Sequence, residues 1–150
     1  MKPFTPGGIR CPEAYAQGKM LDHSWWSGRM RGKITPSDID MVVESYGHAL
    51  FCEISRDHET LDDLPTGQRI LLQTLARLAG GHCVVLLRHG LFSLSKPIDT
   101  ANDIMSATVY FDAGTRSVTL DGSEWREFAV AWTFNSKLAV DKYLRPKATA

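Results

Sequence analysis

The chain has 150 residues and zero formal net charge, and 43% of its residues are hydrophobic and 23% charged, as expected for a soluble globular protein with one core. No apolar run reaches the roughly 20 residues that a membrane-spanning helix needs, and the first residues, MKPFTPGG, lack the apolar core of a secretory signal. Three cysteines without CxxC spacing favour a reduced compartment, so we expect a cytoplasmic protein with no membrane contact.

The charge is unevenly spread along the chain. Residues 1–33 carry six basic and two acidic side chains, whereas residues 34–66 carry one basic and eight acidic ones. An acidic centre flanked by basic segments fits a metal-dependent enzyme that acts on a polyanion. A solvated acidic loop at residues 56–63 explains the same pattern without any ligand.

The N-terminal part is predicted to hold an irregular arm and one helix. Residues 1–10 contain two prolines and two glycines without periodicity, which indicates the arm. Residues 12–30 are predicted to be helical, because proline suits a first helical turn and apolar residues recur along the segment.

A β-hairpin is predicted next. Apolar and acidic side chains alternate over residues 38–44, except at Val42. Residues 46–47 form the predicted turn, and residues 49–54 form the second strand. A two-residue turn pairs positions whose numbers sum to 93, which places Asp40 directly opposite Glu53. Their Cβ atoms would then lie about 4.5–5.5 Å apart. Carboxylates at that distance repel each other unless a cation lies between them.

The remaining pattern predicts a mixed α/β sheet with flanking helices in a single domain, residues 1–150. A helix is expected at 67–79, with an apolar face built by Leu71, Leu75 and Leu78 and widened by Leu72 and Ala79. The apolar run 83–87 predicts a central strand reached by a crossover. Two further strands are expected at 107–111 and 117–120, then a last helix after residue 121 or 123, and a frayed tail at 142–150.

Three short motifs in a fixed order resemble the PD-(D/E)XK nuclease superfamily. They are Pro36-Ser37-Asp38-Ile39-Asp40, then Glu53-Ile54-Ser55 on the next predicted strand, then Gly67-Gln68 opening a predicted helix. Small phage and prokaryotic members show a similar run, with a Trp-containing helix, an Asp-Ile-Asp strand, a Glu-x-Lys strand and a Gly-Gln helix. The resemblance covers about residues 20–88 and implies a restriction-endonuclease-like core from a phage or prokaryote.

The resemblance also implies an activity and a set of site residues. Members of the family hydrolyse phosphodiester bonds with Mg²⁺ or Mn²⁺, which activates water and stabilises charge on the phosphate. Asp40 and Glu53 match the metal ligands, and Asp38 is the alternative ligand on the first strand. Gln68 matches a helix glutamine close to the site, and an acidic residue of the first helix is expected to join it.

One motif residue departs from the family. Ser55 stands where the family has a catalytic lysine, and a hydroxyl cannot supply a positive charge. Arg56, Arg69 and Lys33 are candidate replacements. The departure supports a second interpretation, in which a nuclease-like fold binds nucleic acid or a host protein without cutting, for example against host defence.

Basic residues are expected to hold the phosphate backbone of DNA, without reading its sequence. The candidates are Arg29, Arg31, Lys33 and Arg69. Many members of the superfamily act as dimers, so the resemblance also implies a homodimer.

Other residues with useful chemistry are interpreted as structural. Cys52 alternates away from Glu53 and is expected in the core. His48 and His58 are interpreted as surface histidines near turns. Three aromatic residues at helical spacing in the last helix are expected in the core: Trp125, Phe128 and Trp132.

Overall fold

The structure is a computed structural model that describes residues 39–78, 84–91 and 98–148, together with Trp25 and Arg29. Contacts within the chain group it into two compact units, residues 1–36 and 37–150. In the first unit, the Arg29 guanidinium lies 4.7 Å from the centroid of the Trp25 ring and donates to the Trp25 carbonyl. The predicted arm and the rest of the predicted first helix lie outside the described residues, and a single domain over 1–150 stays a prediction.

Five strands of the second unit form one mixed sheet in sequential order. They are β1 (Met41–Ser45), β2 (His48–Ser55), β3 (Val84–His89), β4 (Ile104–Phe111) and β5 (Arg116–Asp121). Only β2 and β3 are parallel in this sheet, because helix α1 (Thr66–Leu78) carries the chain back between them. The predicted α/β class and mixed central sheet are therefore confirmed.

The central position of β3 is also confirmed. Its residues 84–87 are at most 1% exposed, because helices and loops cover the sheet on both sides. A continuous apolar run is typical of such a strand, because the side chains on both of its faces are shielded from water.

Two separate layers cover the two sides of the sheet. On the α1 side, Phe51, Leu86 and Tyr110 pack with Leu72 of the helix. On the opposite side, called the α2 side, the sheet packs against α2 (Gly122–Phe134). The aromatic residues predicted for the core lie there: Trp125, Phe128 and Trp132, none more than 3% exposed. Cys52, also as predicted, is fully buried on the α2 side.

Helix α2 begins where the sequence indicated. The Asp121 carboxylate accepts a hydrogen bond from the Glu124 N–H, and the Glu124 carboxylate accepts one from the Asp121 N–H. This reciprocal capping box satisfies two backbone donors at the start of the helix.

The buried face of α1 differs from the prediction. Leu72 and Ala76 are 1% exposed, whereas Leu78 is 80% exposed. Residues 68, 72 and 76 follow each other at four-residue spacing and form one stripe. That stripe, and not the one through Leu78, packs toward the sheet.

The predicted frayed tail is wrong for residues 142–148. A π-helical turn (Val140–Leu144) follows α3 (Ser136–Ala139) and leads into α4 (Arg145–Ala148). Leu144 is fully buried in the core, and Arg145 donates to both carboxylate oxygens of Asp112, at 2.9 and 3.0 Å. The sequence did not reveal these contacts because they join residues 33 positions apart.

Candidate functional site

The β1–β2 hairpin has the register that the turn predicted. Tyr46 and Gly47 have φ angles of 51° and 81°, which suit the positive-φ turn favoured in two-residue hairpins. Met41 pairs with Cys52, so the next position outward places Asp40 opposite Glu53. The turn therefore brings the two predicted metal ligands to one end of the hairpin.

Asp40 lies immediately before β1 and completes the hydrogen bonding of β2. Its Oδ2 accepts a hydrogen bond of 2.8 Å from the Ile54 N–H, where the β1 ladder has already ended. Its other oxygen, Oδ1, accepts none from the described residues. One carboxylate oxygen of Asp40 thus has a structural role at the end of the hairpin.

Glu53 is a buried carboxylate on the α1 side. It is 7% exposed, and its Oε1 accepts a hydrogen bond of 2.9 Å from Gln68 Nε2. Gln68 reaches it because it lies on the same helical stripe as Leu72 and Ala76, which face the sheet. A charge removed from water needs such donors, so the structure joins two of the residues that the motif resemblance selected.

Ser55 organises the chain that leaves β2. Its Oγ accepts hydrogen bonds from the N–H groups of Asp57, at 3.2 Å, and His58, at 3.0 Å. This arrangement is the hydroxyl-capped turn that serine often forms. The hydroxyl therefore has a structural role at the position where the resemblance implies a lysine.

The structure adds Arg88, which the sequence reasoning missed. Arg88 pairs directly with Ser55 across β2 and β3, as Leu86 pairs with Glu53. Alternation places all four side chains on the α1 side of the sheet. The sequence did show a charged residue, Arg88, two positions after Leu86 in the predicted central strand. It did not show that Arg88 pairs with Ser55, because the partner of a parallel strand is not specified locally.

The guanidinium of Arg88 is held by two neighbours. Its Nε donates to the Arg56 carbonyl at 3.2 Å, and its Nη1 lies 2.8 Å from Glu59 Oε1. Arg56 itself forms a two-point contact with Asp57, at 2.9 and 3.1 Å, and this hydrogen bonding is the main reason that the pKa of Asp57 is lowered.

Of the other predicted site residues, the structure describes Arg69 and Arg29. Arg69 lies on α1 and its Nη1 is 3.4 Å from Asp62 Oδ1. Arg29 lies in the first unit against Trp25. Asp38, Arg31 and Lys33 fall outside the described residues, as does any acidic ligand from the first helix.

Two findings about the described ranges bear on ligands and location. No group of three or more His, Cys, Asp or Glu side chains converges there in a way that could hold a metal ion. No helix within the same ranges combines the length and the apolar character needed to cross a membrane.

Comparison with known proteins adds no relative. No family model, curated protein or solved structure matches this chain significantly. The nuclease resemblance consequently depends on the motif residues and on the contacts between them.

Proposed function

We propose that this protein is a metal-dependent DNA nuclease, or a derivative of one, that uses Asp40, Glu53 and Gln68. The observation that carries the proposal is the 2.9 Å hydrogen bond from Gln68 to buried Glu53, at the hairpin end where Asp40 accepts a hydrogen bond from the Ile54 N–H. Hairpin register and helix packing are independent features of the chain. Both bring together residues that the resemblance selected on other grounds.

The donor set suits Mg²⁺ or Mn²⁺. Magnesium prefers oxygen ligands and keeps several waters, so one or two carboxylates suffice. Asp40 Oδ1 and Glu53 would hold the ion, with Asp38 as the proposed alternative ligand. When bound, the ion would activate a water and offset charge on the phosphate.

The protein's own residues would position these groups. Gln68 orients the Glu53 carboxylate, and residues that orient a ligand commonly change metal affinity or activity by about 10–100-fold when removed. Asp40 is oriented by the Ile54 N–H at 2.8 Å. Ser55 stabilises the turn after β2 through the two hydrogen bonds that its hydroxyl accepts, and it supplies no charge.

A plasmid cleavage assay with Mg²⁺ and Mn²⁺ tests the proposal. Asp40→Ala and Glu53→Gln should lose cleavage by about a hundredfold or more, and Gln68→Ala by about tenfold. Glu127→Gln changes an exposed carboxylate on the α2 side and serves as the matched control, with activity near wild type. Equal cleavage by all four variants and the wild type would reject the assignment.

A second candidate function rests on Ser55. Because its hydroxyl accepts two backbone hydrogen bonds and offers no cation, the same fold could bind nucleic acid or a host protein without cutting it. Titration calorimetry with Mn²⁺ and a DNA-binding assay distinguish the two. DNA binding without cleavage, unchanged by Glu53→Gln, supports this second function, whereas Glu53-dependent Mn²⁺ binding supports the nuclease.

The proposal extends to assembly and location. For a small DNA nuclease, the simplest assembly is a homodimer. The simplest location is the cytoplasm, and the simplest source is a phage or a prokaryote. Sedimentation with and without DNA would test the homodimer directly.

A further inference from the structure

A polar cavity of about 250 Å³ opens on the α1 side of the sheet, beside the candidate site. The side chains that matter for its chemistry come from the loop after β2 and from β3, β4 and β5: His58, Glu59, Arg88, Ser106, Thr108 and Thr119. We propose that this cavity binds a phosphate group of a nucleic acid backbone, with Arg88 as its cation and Glu59 as the side chain that the phosphate displaces. The inference rests on the proposed nucleic-acid function.

The charges of the cavity fit an anion. Glu59 is the only acid among the described side chains that line it, and the others are an arginine, a histidine, four hydroxyl residues and a leucine. When the Glu59 carboxylate leaves, the lining is therefore neutral or positive. Arginine recognises phosphate through parallel N–H groups, which makes Arg88 the natural anchor.

Glu59 can move without any change in the loop backbone. Its N–H donates to Asp63 Oδ2 at 3.0 Å, and its carbonyl accepts from Thr108 Oγ1 at 3.2 Å. Its side chain is 65% exposed and contacts Arg88. Surface ion pairs contribute about 0–1 kcal/mol, so a side-chain rotation releases the cation at little cost.

Arg88 keeps its orientation when Glu59 leaves. Its Nε donates to the Arg56 carbonyl at 3.2 Å, a contact independent of Glu59. Ser106 and Thr119 line the same cavity as Arg88, and their hydroxyls are further hydrogen-bond donors for an anion bound there. In the present structure the Glu59 carboxylate occupies the place of the incoming anion, at 2.8 Å from Nη1.

The position of the cavity relates it to the candidate site. Arg88 pairs with Ser55, which lies two residues beyond Glu53 on β2. Two residues along a strand span about 7 Å. A nucleic acid strand held at Arg88 would therefore run close to Glu53 on the same side of the sheet.

Phosphate titration of the full-length protein, without divalent metal and followed by NMR, tests the inference. Inorganic phosphate should shift the Arg88 Nε–H and Thr119 amide signals of the wild type. Arg88→Gln should weaken binding about tenfold or more, and Glu59→Gln should strengthen it about threefold to tenfold. Arg126→Gln removes an arginine from α2 and is the matched control, with unchanged affinity.

A fluorescent single-stranded DNA oligonucleotide identifies the source of the phosphate. It should compete with inorganic phosphate, and Arg88→Gln should weaken it as well. Arg88→Lys retains charge and should bind both probes more tightly than Arg88→Gln, and thermal melts establish that each variant is folded. Phosphate affinity that is unchanged in Arg88→Gln, or not tighter in Glu59→Gln, overturns the site, and phosphate binding without oligonucleotide competition overturns its assignment to nucleic acid. Cleavage is not read in this assay, so a failure here is separate from a failure of the nuclease proposal.

Discussion

Replacement of Gln68 by alanine tests the central contact of the candidate site. Gln68 Nε2 donates at 2.9 Å to the carboxylate of Glu53, which is 7% exposed. Hydrogen bonds to charged groups contribute about 1.5–3 kcal/mol, and the better helix propensity of alanine offsets a few tenths of a kcal/mol. We therefore expect Gln68→Ala to lower the free energy of unfolding by about 1–2.5 kcal/mol.

Urea unfolding measures this loss, and the helix supplies its own control. Gln73 lies on an exposed position of the same helix, so Gln73→Ala should change the free energy of unfolding by no more than about 0.5 kcal/mol. A double-mutant cycle with Glu53→Gln should give a coupling energy of about 1 kcal/mol, because the two side chains are in contact.

Two results would refute the reasoning. One is that Gln68→Ala is no more destabilising than Gln73→Ala. The other is that the effects of Gln68→Ala and Glu53→Gln simply add. Either result means that Gln68 does not orient Glu53, and the structural support for the proposed metal site is then lost.

The C-terminal helices provide two further predictions. Leu144→Ala should destabilise the protein by about 2–5 kcal/mol because it leaves a cavity in the core, whereas the exposed Leu138→Ala should cost no more than about 0.5 kcal/mol; equal effects in thermal unfolding would favour a frayed tail. Hydrogen bonding to Arg145 is the main reason that the pKa of Asp112 is lowered. The contact between Asp112 and Arg145 therefore contributes its full stability above about pH 4. This contribution is lost as the pH falls through the lowered pKa of Asp112. The free energy difference between wild type and Arg145→Gln should shrink accordingly in urea unfolding at decreasing pH, and a difference independent of pH would contradict this linkage.

The sequence was sufficient wherever structure depends on neighbouring residues. The Tyr46-Gly47 turn fixed the hairpin register, and with it the position of Asp40 relative to Glu53, because a two-residue turn allows one pairing. The sequence limited the cap of α2 to residue 121 or 123, and Asp121 is the one that caps it. The apolar run of β3 predicted a strand covered on both sides.

Only the tertiary structure decided which surfaces meet. Periodicity predicted an apolar face of α1 that included Leu78, which is exposed in the structure. Packing against the sheet instead buries the stripe through Leu72 and Ala76, which carries Gln68 to Glu53. Arg88 lies beside Ser55 because β2 and β3 pair in parallel, and no local sequence pattern specifies that pairing. These features depend on contacts between distant parts of the chain, whose free energy is settled when the layers pack together, and not by the propensities of individual segments.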